Sequence, residues 1–336
     1  MIHRTGHFTP FRSLFLAACT LATVTIFALG PLRLSEACTN ILVSRGASAD
    51  GSVFVSFSVD GTGAGMLSVS EAGKKPQGEN LHPSIADYDG PVYKVLNHMN
   101  EFQVSIGETT TNGRVELANK NETALTYDRL MVLGLRRSKT AREAIAEIDR
   151  LMQTYGYGST GETLSIGDKN EVWLMEIMGK GEQKGAVWVA ARIPDGAISA
   201  HANMSRVTTF PLDDPENWIY SKDVISFAEE QGFYDPDSGK PFSFRDAYHP
   251  NISTLIQRAC AGRIWSIFRR AAPSQNLSSD FFRAVDGAEP YPLFIVPDKK
   301  VTVHDVMQLM RDHFEGTPWD MTKGIDAGPF GSPYRF

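Results

Sequence analysis

From residue 38 onward, hydrophobic and polar positions alternate with a period of two in CTNILVSR (38–45), SVFVSFSVD (52–60) and MLSVSEA (66–72). Such alternation predicts half-buried β-strands, and the intervening ASADGS and DGTGAG supply the turns. A hairpin is expected next from VYKVLNHM (92–99) and FQVSIGETT (102–110), reversing at Asn100 and Glu101. At Thr126 the period changes to that of a helix. TYDRLMVLGLRR (126–137) leads to Thr140, whose spacing to Glu143 has the form of a capping box. Beyond it Ala141, Ala144, Ile145, Ile148, Leu151 and Met152 recur on one helical face.

After YGYGSTG the strand period returns in ETLSIGD (162–168), EVWLMEIMG (171–179), AVWVAARIP (186–194) and AISAHANMSRV (197–207). Their short Gly- and Asp-bearing connections predict a four-segment antiparallel meander. Helices are expected again over SKDVISFAEEQG (221–232), Ile252 to Arg270, and VTVHDVMQLMRDHF (301–314), where Thr302 is the natural N-cap. The final GTPWDMTKGIDAGPFGSPYRF is loop-like. Strands, helices, strands, helices in that order predict an α+β chain in which two antiparallel sheets face each other with helices outside, an αββα sandwich.

Composition adds little to this pattern except by exclusion. With 336 residues, 42% hydrophobic and 21% charged, the chain has the apolar content of an ordinary globular protein. Net charge is -6 and the 33 Lys and Arg are scattered, so no basic surface suited to nucleic acid is present.

The first 37 residues differ in kind. His3, Arg4 and Arg12 precede an apolar run from Leu14 to Gly30, which is followed by PLRLSEA and Cys38. That order reads as a signal peptide, 1–37, with the small residues Ser35 and Ala37 at the positions a signal peptidase requires and cleavage before Cys38. An uncleaved anchor helix is the alternative, since the run of about 17 residues is near the lower limit for crossing a bilayer. The signal reading implies a secreted or periplasmic protein, free of the membrane after cleavage, with residues 38–336 as the mature domain.

Candidate chemistry begins at that junction. Of the three cysteines, Cys19 leaves with the signal, while Cys38 and Cys260 remain, too few for a disulfide scaffold. Cleavage before Cys38 would give one residue both a thiol and a free α-amine, with ordinary pKa values of about 8.5 and 7.7 to 8.0. The amine would then serve as base for its own thiol. A buried structural cysteine is the competing reading. In SAHANMSRV (199–207), His201, Asn203 and Arg206 crowd the end of a strand that otherwise reads as core. An Asn203 amide there would hold a developing oxyanion and Arg206 a carboxylate, or the group is a structural polar cluster. Asn100, at a tight reversal, also reads as an ordinary turn residue. DPDSGKPFSFRD (235–246) has a Gly and a Lys where a calcium loop needs a ligand and a Gly, and reads as a surface turn.

Several long blocks in order resemble a known family, the PepD-like cysteine dipeptidases, relatives of the secernins within the N-terminal-nucleophile hydrolases. They are CTNILVSRGASADGSVFVSFSVD, NEFQVSIGETT, ALTYDRLMVLGLRRSKTAREAI, GETLSIGDKNEVWLMEIMGKG, RIPDGAISAHANMSR and EGTPWDMTKGIDAGPFGSPYR. The resemblance implies an N-terminal-nucleophile fold, with Cys38 as nucleophile at the end of a sheet strand and Asp60 near its amine. It also implies Asn203 as oxyanion donor, Asn100 as the other Asn of the site, and Arg206 as a lesser candidate. By the same resemblance the substrates are dipeptides, cleaved through a thioester without metal or organic cofactor. An N-acyl amide hydrolase and an exported non-catalytic relative are the alternatives. Two features depart from the family. Phe57 stands where many relatives carry an Arg three residues before the Asp, and members generally run well past residue 336, so the expectation is a domain incomplete at its C-terminus. Side-chain preference and oligomeric state are left open by the sequence.

Overall fold

The computed structural model describes residues 38–327 except 60–66, 74–81, 87, 112, 120 and 122–123. Its first strand shows how the alternating pattern builds the fold. In β1 (Cys38–Val43), Ile41 and Val43 pack in a core with helix residues Ile264 and Phe268, while Leu42 joins a second core on the opposite face. Cys38 and Asn40 share the Leu42 face because side chains on a strand alternate.

β1 lies between β2 (Phe54–Val59) and β10 (Ile198–Ala202), and β12 (Phe294–Ile295) completes a four-stranded sheet in the order β12-β10-β1-β2. The second sheet has eight strands in the order β11-β9-β8-β7-β6-β5-β4-β3. They are β3 (Val69–Ser70), β4 (Val95–Leu96), β5 (Met99–Asn100), β6 (Ser105–Thr111), β7 (Gly161–Gly167), β8 (Val172–Gly179), β9 (Ala186–Arg192) and β11 (Trp218–Tyr220). Every strand pair in both sheets is antiparallel.

Helices cover the two outer faces. On the larger sheet lie α1 (Tyr127–Arg137) and α2 (Ala141–Tyr155), whose Leu130, Ile145 and Ile148 pack on Leu164, Trp173 and Met175. On the smaller lie α3 (Thr254–Ala271) and α4 (Val303–Leu309), with Ile264, Phe268 and Val306 against Ile41 and Ile198. Between the sheets, Leu42 meets Val172, Leu174, Val187 and Val189. The expected α+β sandwich, helix over sheet over sheet over helix, is the observed architecture. Among the described residues no helix is long and apolar enough to cross a membrane.

Local signals located the helix starts well. The Thr140 side chain accepts from Glu143 N–H, and Thr302 forms a full capping box with Asp305.

One expectation is extended and two are corrected. The hairpin expected at Asn100 is present, with β5 pairing β6 across a turn at 101–103, and a further reversal at Asn97 precedes it. Asn97 has φ of 50°, and β4 pairs with β5 in the register Leu96 to Met99. A short polar side chain tolerates that left-handed backbone, which favours the turn. The four-segment meander ends after three, because β10 leaves the larger sheet and pairs with β1 in the smaller. Of 221–232 only Ser226–Glu230 is helical. The signal segment 1–37, Asp60, and the tail beyond 327 lie outside the described residues.

Candidate active site

Cys38 opens β1 with its side chain on the face turned toward the second sheet, and only 2% of the residue is exposed. The strand it meets there, β6, pairs with β7 along Ser105–Thr111, whereas its pairing with β5 is confined to Ser105. Past that point the other edge of β6 has no strand beside it among the described residues, and its main-chain groups must find side-chain partners when buried. Those partners come from the smaller sheet. With its carboxamide turned to satisfy both ends, Asn40 donates to Glu108 C=O at 3.0 Å and accepts from Glu108 N–H at 3.1 Å. Asn203 donates to Thr110 C=O at 3.0 Å. The Thr110 N–H turns toward the Cys38 thiol and favours its ionised form. A strand edge thus becomes the floor of a polar site.

Asn203, just beyond β10, also reaches the nucleophile candidate directly. Its Oδ1 accepts from the Cys38 main-chain nitrogen at 2.8 Å and from Arg263 Nη2 at 3.1 Å. Arg263, on α3, further donates to Cys38 C=O, to Thr39 Oγ1 at 2.8 Å and to Cys260 Sγ at 3.4 Å. One guanidinium therefore ties α3, β1 and the end of β10 into a single unit, as its planar fork of donors allows.

The turn after β10 is held from beneath by Glu176 of β8. This buried carboxylate accepts from Ser205 Oγ at 2.5 Å, Arg206 N–H at 2.6 Å and Val207 N–H at 3.1 Å. Behind β1 a second polar chain crosses between the sheets. Ser165 Oγ donates to the Asn40 oxygen at 3.0 Å and lies 2.6 Å from His201 Nε2, while His201 Nδ1 lies 2.7 Å from Thr109 Oγ1. With the Ser165 hydrogen on Asn40, His201 donates from Nε2 to Ser165 Oγ. Burial, with the Arg206 charge, holds His201 down to about 3, so the ring is neutral and orients Asn40.

The thiol itself is held in its protonated form. Burial, and then the charge of Glu108, push Cys38 up to about 12, against a smaller opposing hydrogen bond from Asn203. Glu108 Oε1 lies 3.8 Å from Cys38 Sγ. As arranged, the sulfur needs a base delivered beside it to react at neutral pH.

The residues expected from sequence divide accordingly. Cys38 and Asn203 are brought together. Asp60 lies outside the described residues. Asn100 is not part of this cluster. Its Nδ2 donates to the carbonyls of Leu135 at 2.8 Å and Ser138 at 2.7 Å, and its Oδ1 accepts from the N–H groups of Phe102 and Val104, both at 3.0 Å. All four bonds close the end of α1 and the turn to β6, a structural joint that satisfies buried main chain. Arg206 is also engaged elsewhere. It donates to the carbonyls of Ala200, Tyr291, Pro292 and Leu293, fastening the 291–293 segment to β10, and burial pulls it down to about 10. Phe57, across from Asn40 in β2, stacks edge-on with His98 at 4.9 Å and supplies an apolar wall.

Sequence reasoning missed Arg263, Glu108 and Glu176. Arg263 and Glu176 each had a signal, a charge embedded in an otherwise apolar element: ACAGRIWSIF in the helix and VWLMEIMG in the strand. Among the described residues no group of three or more His, Cys, Asp or Glu is placed to hold a metal ion.

Residues 71–335 match Peptidase family C69. A probable dipeptidase of Salmonella dublin is 27% identical over 324 residues, covering 88% of this chain and 70% of the relative. The dipeptidase of Bifidobacterium longum is 24% identical, covering 84% of this chain and 60% of its own length. Dipeptidase A of Lactobacillus helveticus is also 24% identical, with 84% and 62% covered. The chain thus spans 60 to 70% of the length of these relatives.

Proposed function

The chain belongs to peptidase family C69, and from that premise we propose that it is a cysteine-type dipeptidase, matured by removal of residues 1–37 and exported. The observation that carries the reading is the Cys38 main-chain nitrogen held at 2.8 Å by Asn203 beside its own sulfur. Cleavage before Cys38 converts that nitrogen into an amine. The Ser35 and Ala37 junction behind an apolar stretch is the motive for a cleaved signal and for a secreted or periplasmic location.

In the reaction the free α-amine accepts the thiol proton as sulfur attacks the carbonyl carbon of the scissile bond. The charge that develops on the carbonyl oxygen meets the second N–H of the Asn203 amide. The C–N bond breaks, the ammonium returns its proton to the leaving amine, and a thioester remains on Cys38. Water, deprotonated by the same amine, then releases the acyl group and restores the thiol. Arg263 positions Cys38 and Asn203, and Asp60 is the proposed neighbour of the amine.

The test is a panel of free dipeptides with the purified mature protein and Cys38→Ala. Hydrolysis by the parent and none by the variant is the expected result. Equal hydrolysis by the variant would overturn the reading, since Cys260 is buried against Arg263.

A further inference from the structure

The mechanism above leaves Glu108 and Glu162 unused. Glu108 is 3% exposed and sets Oε1 3.8 Å from the reacting sulfur. Glu162, on the neighbouring β7, is fully buried, hydrogen-bonds to Glu108, and accepts from Thr110 Oγ1 at 3.3 Å. Burial, and then the charge of Glu108, hold the Glu162 carboxyl well above the usual range. Two buried carboxyls in contact keep one proton between them, so the pair carries one negative charge next to the nucleophile. That charge raises the thiol pKa, which works against a nucleophile. A group that opposes thiolate formation yet sits beside the sulfur calls for another task.

The geometry of a bound substrate supplies one. An attacked carbonyl carbon stands about 3 to 3.5 Å from the sulfur. In a dipeptide the free α-nitrogen is two bonds from that carbon, about 2.5 Å away. An ammonium to carboxylate hydrogen bond spans about 2.8 Å. An acceptor 3.8 Å from Sγ falls within reach of that nitrogen.

We propose that the Glu108 and Glu162 pair is the recognition site for the free α-ammonium of the substrate's N-terminal residue. This rests on the dipeptidase reading and deepens it. The bound ammonium neutralises the charge that restrains the thiol, so the correct substrate favours formation of the attacking thiolate. An N-acylated amide brings no cation to this buried charge, which selects against it.

The experiment compares a dipeptide with its analogue carrying a hydroxyl in place of the α-amine, in the mature parent and in Glu108→Gln. The parent is expected to favour the amine by about 100-fold in kcat/KM, and Glu108→Gln to lose about 10- to 100-fold of that preference, chiefly through KM. Alkylation of Cys38 by a haloacetamide reports that the variant's site is intact. An unchanged preference in a variant whose Cys38 still reacts overturns the inference, as does a parent that cleaves N-acetylated dipeptides as well as free ones. Both leave the cysteine hydrolase standing. A parent that cleaves neither substrate contradicts the dipeptidase reading itself. Should Glu108→Gln not fold, Glu108→Asp withdraws the charge by one methylene. A reduced amine preference in it supports the site, and an unchanged one overturns it.

Discussion

The side-chain oxygen of Asn203 accepts a hydrogen bond from the main-chain nitrogen of Cys38 across 165 positions of sequence, at 2.8 Å. This bond joins the strand that carries the nucleophile candidate to the turn that carries its partner. The same amide bonds Thr110 C=O on the other sheet, so Asn203 sets the distance between three elements.

Replacing Asn203 by Ala removes both the anchor of the amine and the proposed oxyanion donor. A loss of about 10² to 10³ in kcat with a smaller change in KM is expected, the magnitude found when one such donor is deleted. Steady-state kinetics on a cleaved dipeptide checks it, and a change confined to KM would assign Asn203 to binding.

The two arginines separate by function. Arg206→Ala breaks charged bonds to four main-chain carbonyls and should lower stability by about 2 to 4 kcal/mol, read by denaturant unfolding. Arg263→Lys keeps the charge but loses the fork that holds Cys38, Thr39 and Asn203 at once. Its expected effect is a reduced kcat of at least about tenfold. Reversed outcomes would return Arg206 to the site.

His201 should make the fold acid-sensitive. The unfolded chain protonates this ring near its ordinary 6.5, the folded chain only at about 3. Between those values the unfolded state binds more protons, so stability present above 6.5 is lost as pH falls toward 3. The slope from this group is at most about 1.4 kcal/mol per pH unit. Urea unfolding of the parent and His201→Gln at pH 7 and pH 5 should show the parent losing more than the variant on acidification.

Gly107 of β6 faces Asn40 and Phe57 of the smaller sheet. A Cβ there would stand 2.8 Å from the Asn40 side chain and 3.1 Å from Phe57 Cβ. Gly107→Ala is expected to cost about 1 to 3 kcal/mol by overpacking and to lower activity by displacing Asn40 from the β6 edge. Thermal unfolding together with dipeptide hydrolysis measures both effects.

Much of this molecule was legible in the order of its residues, and the limit was distance along the chain. α1 and α2 follow from helical spacing and a Thr140 cap only three residues from its partner. β10 was recognisable as a strand but not as a member of the smaller sheet. Local alternation encodes the strand and leaves its partner undetermined. Its choice follows from Ser199, His201 and Asn203, whose partners include Leu293, Ser165 and Thr110. The sequence points to Cys38 through the Ala-Cys junction behind an apolar run, and to Asn203 through a polar cluster at the end of a strand that otherwise reads as core. Arg263 reaches Cys38 over 225 positions, and a lone charge in an apolar helix stretch does not say which residue it pairs with. Glu108 gained meaning only once the edge of β6 faced the thiol.

The central claim is that the base for Cys38 is its own α-amine, which exists only when the chain begins at that residue. Intact mass and N-terminal sequencing of catalytically active protein test it most directly. The account predicts that every active molecule starts at Cys38 and that chains retaining any residue ahead of it neither hydrolyse dipeptides nor alkylate rapidly at neutral pH. An active preparation that keeps even one preceding residue would contradict it.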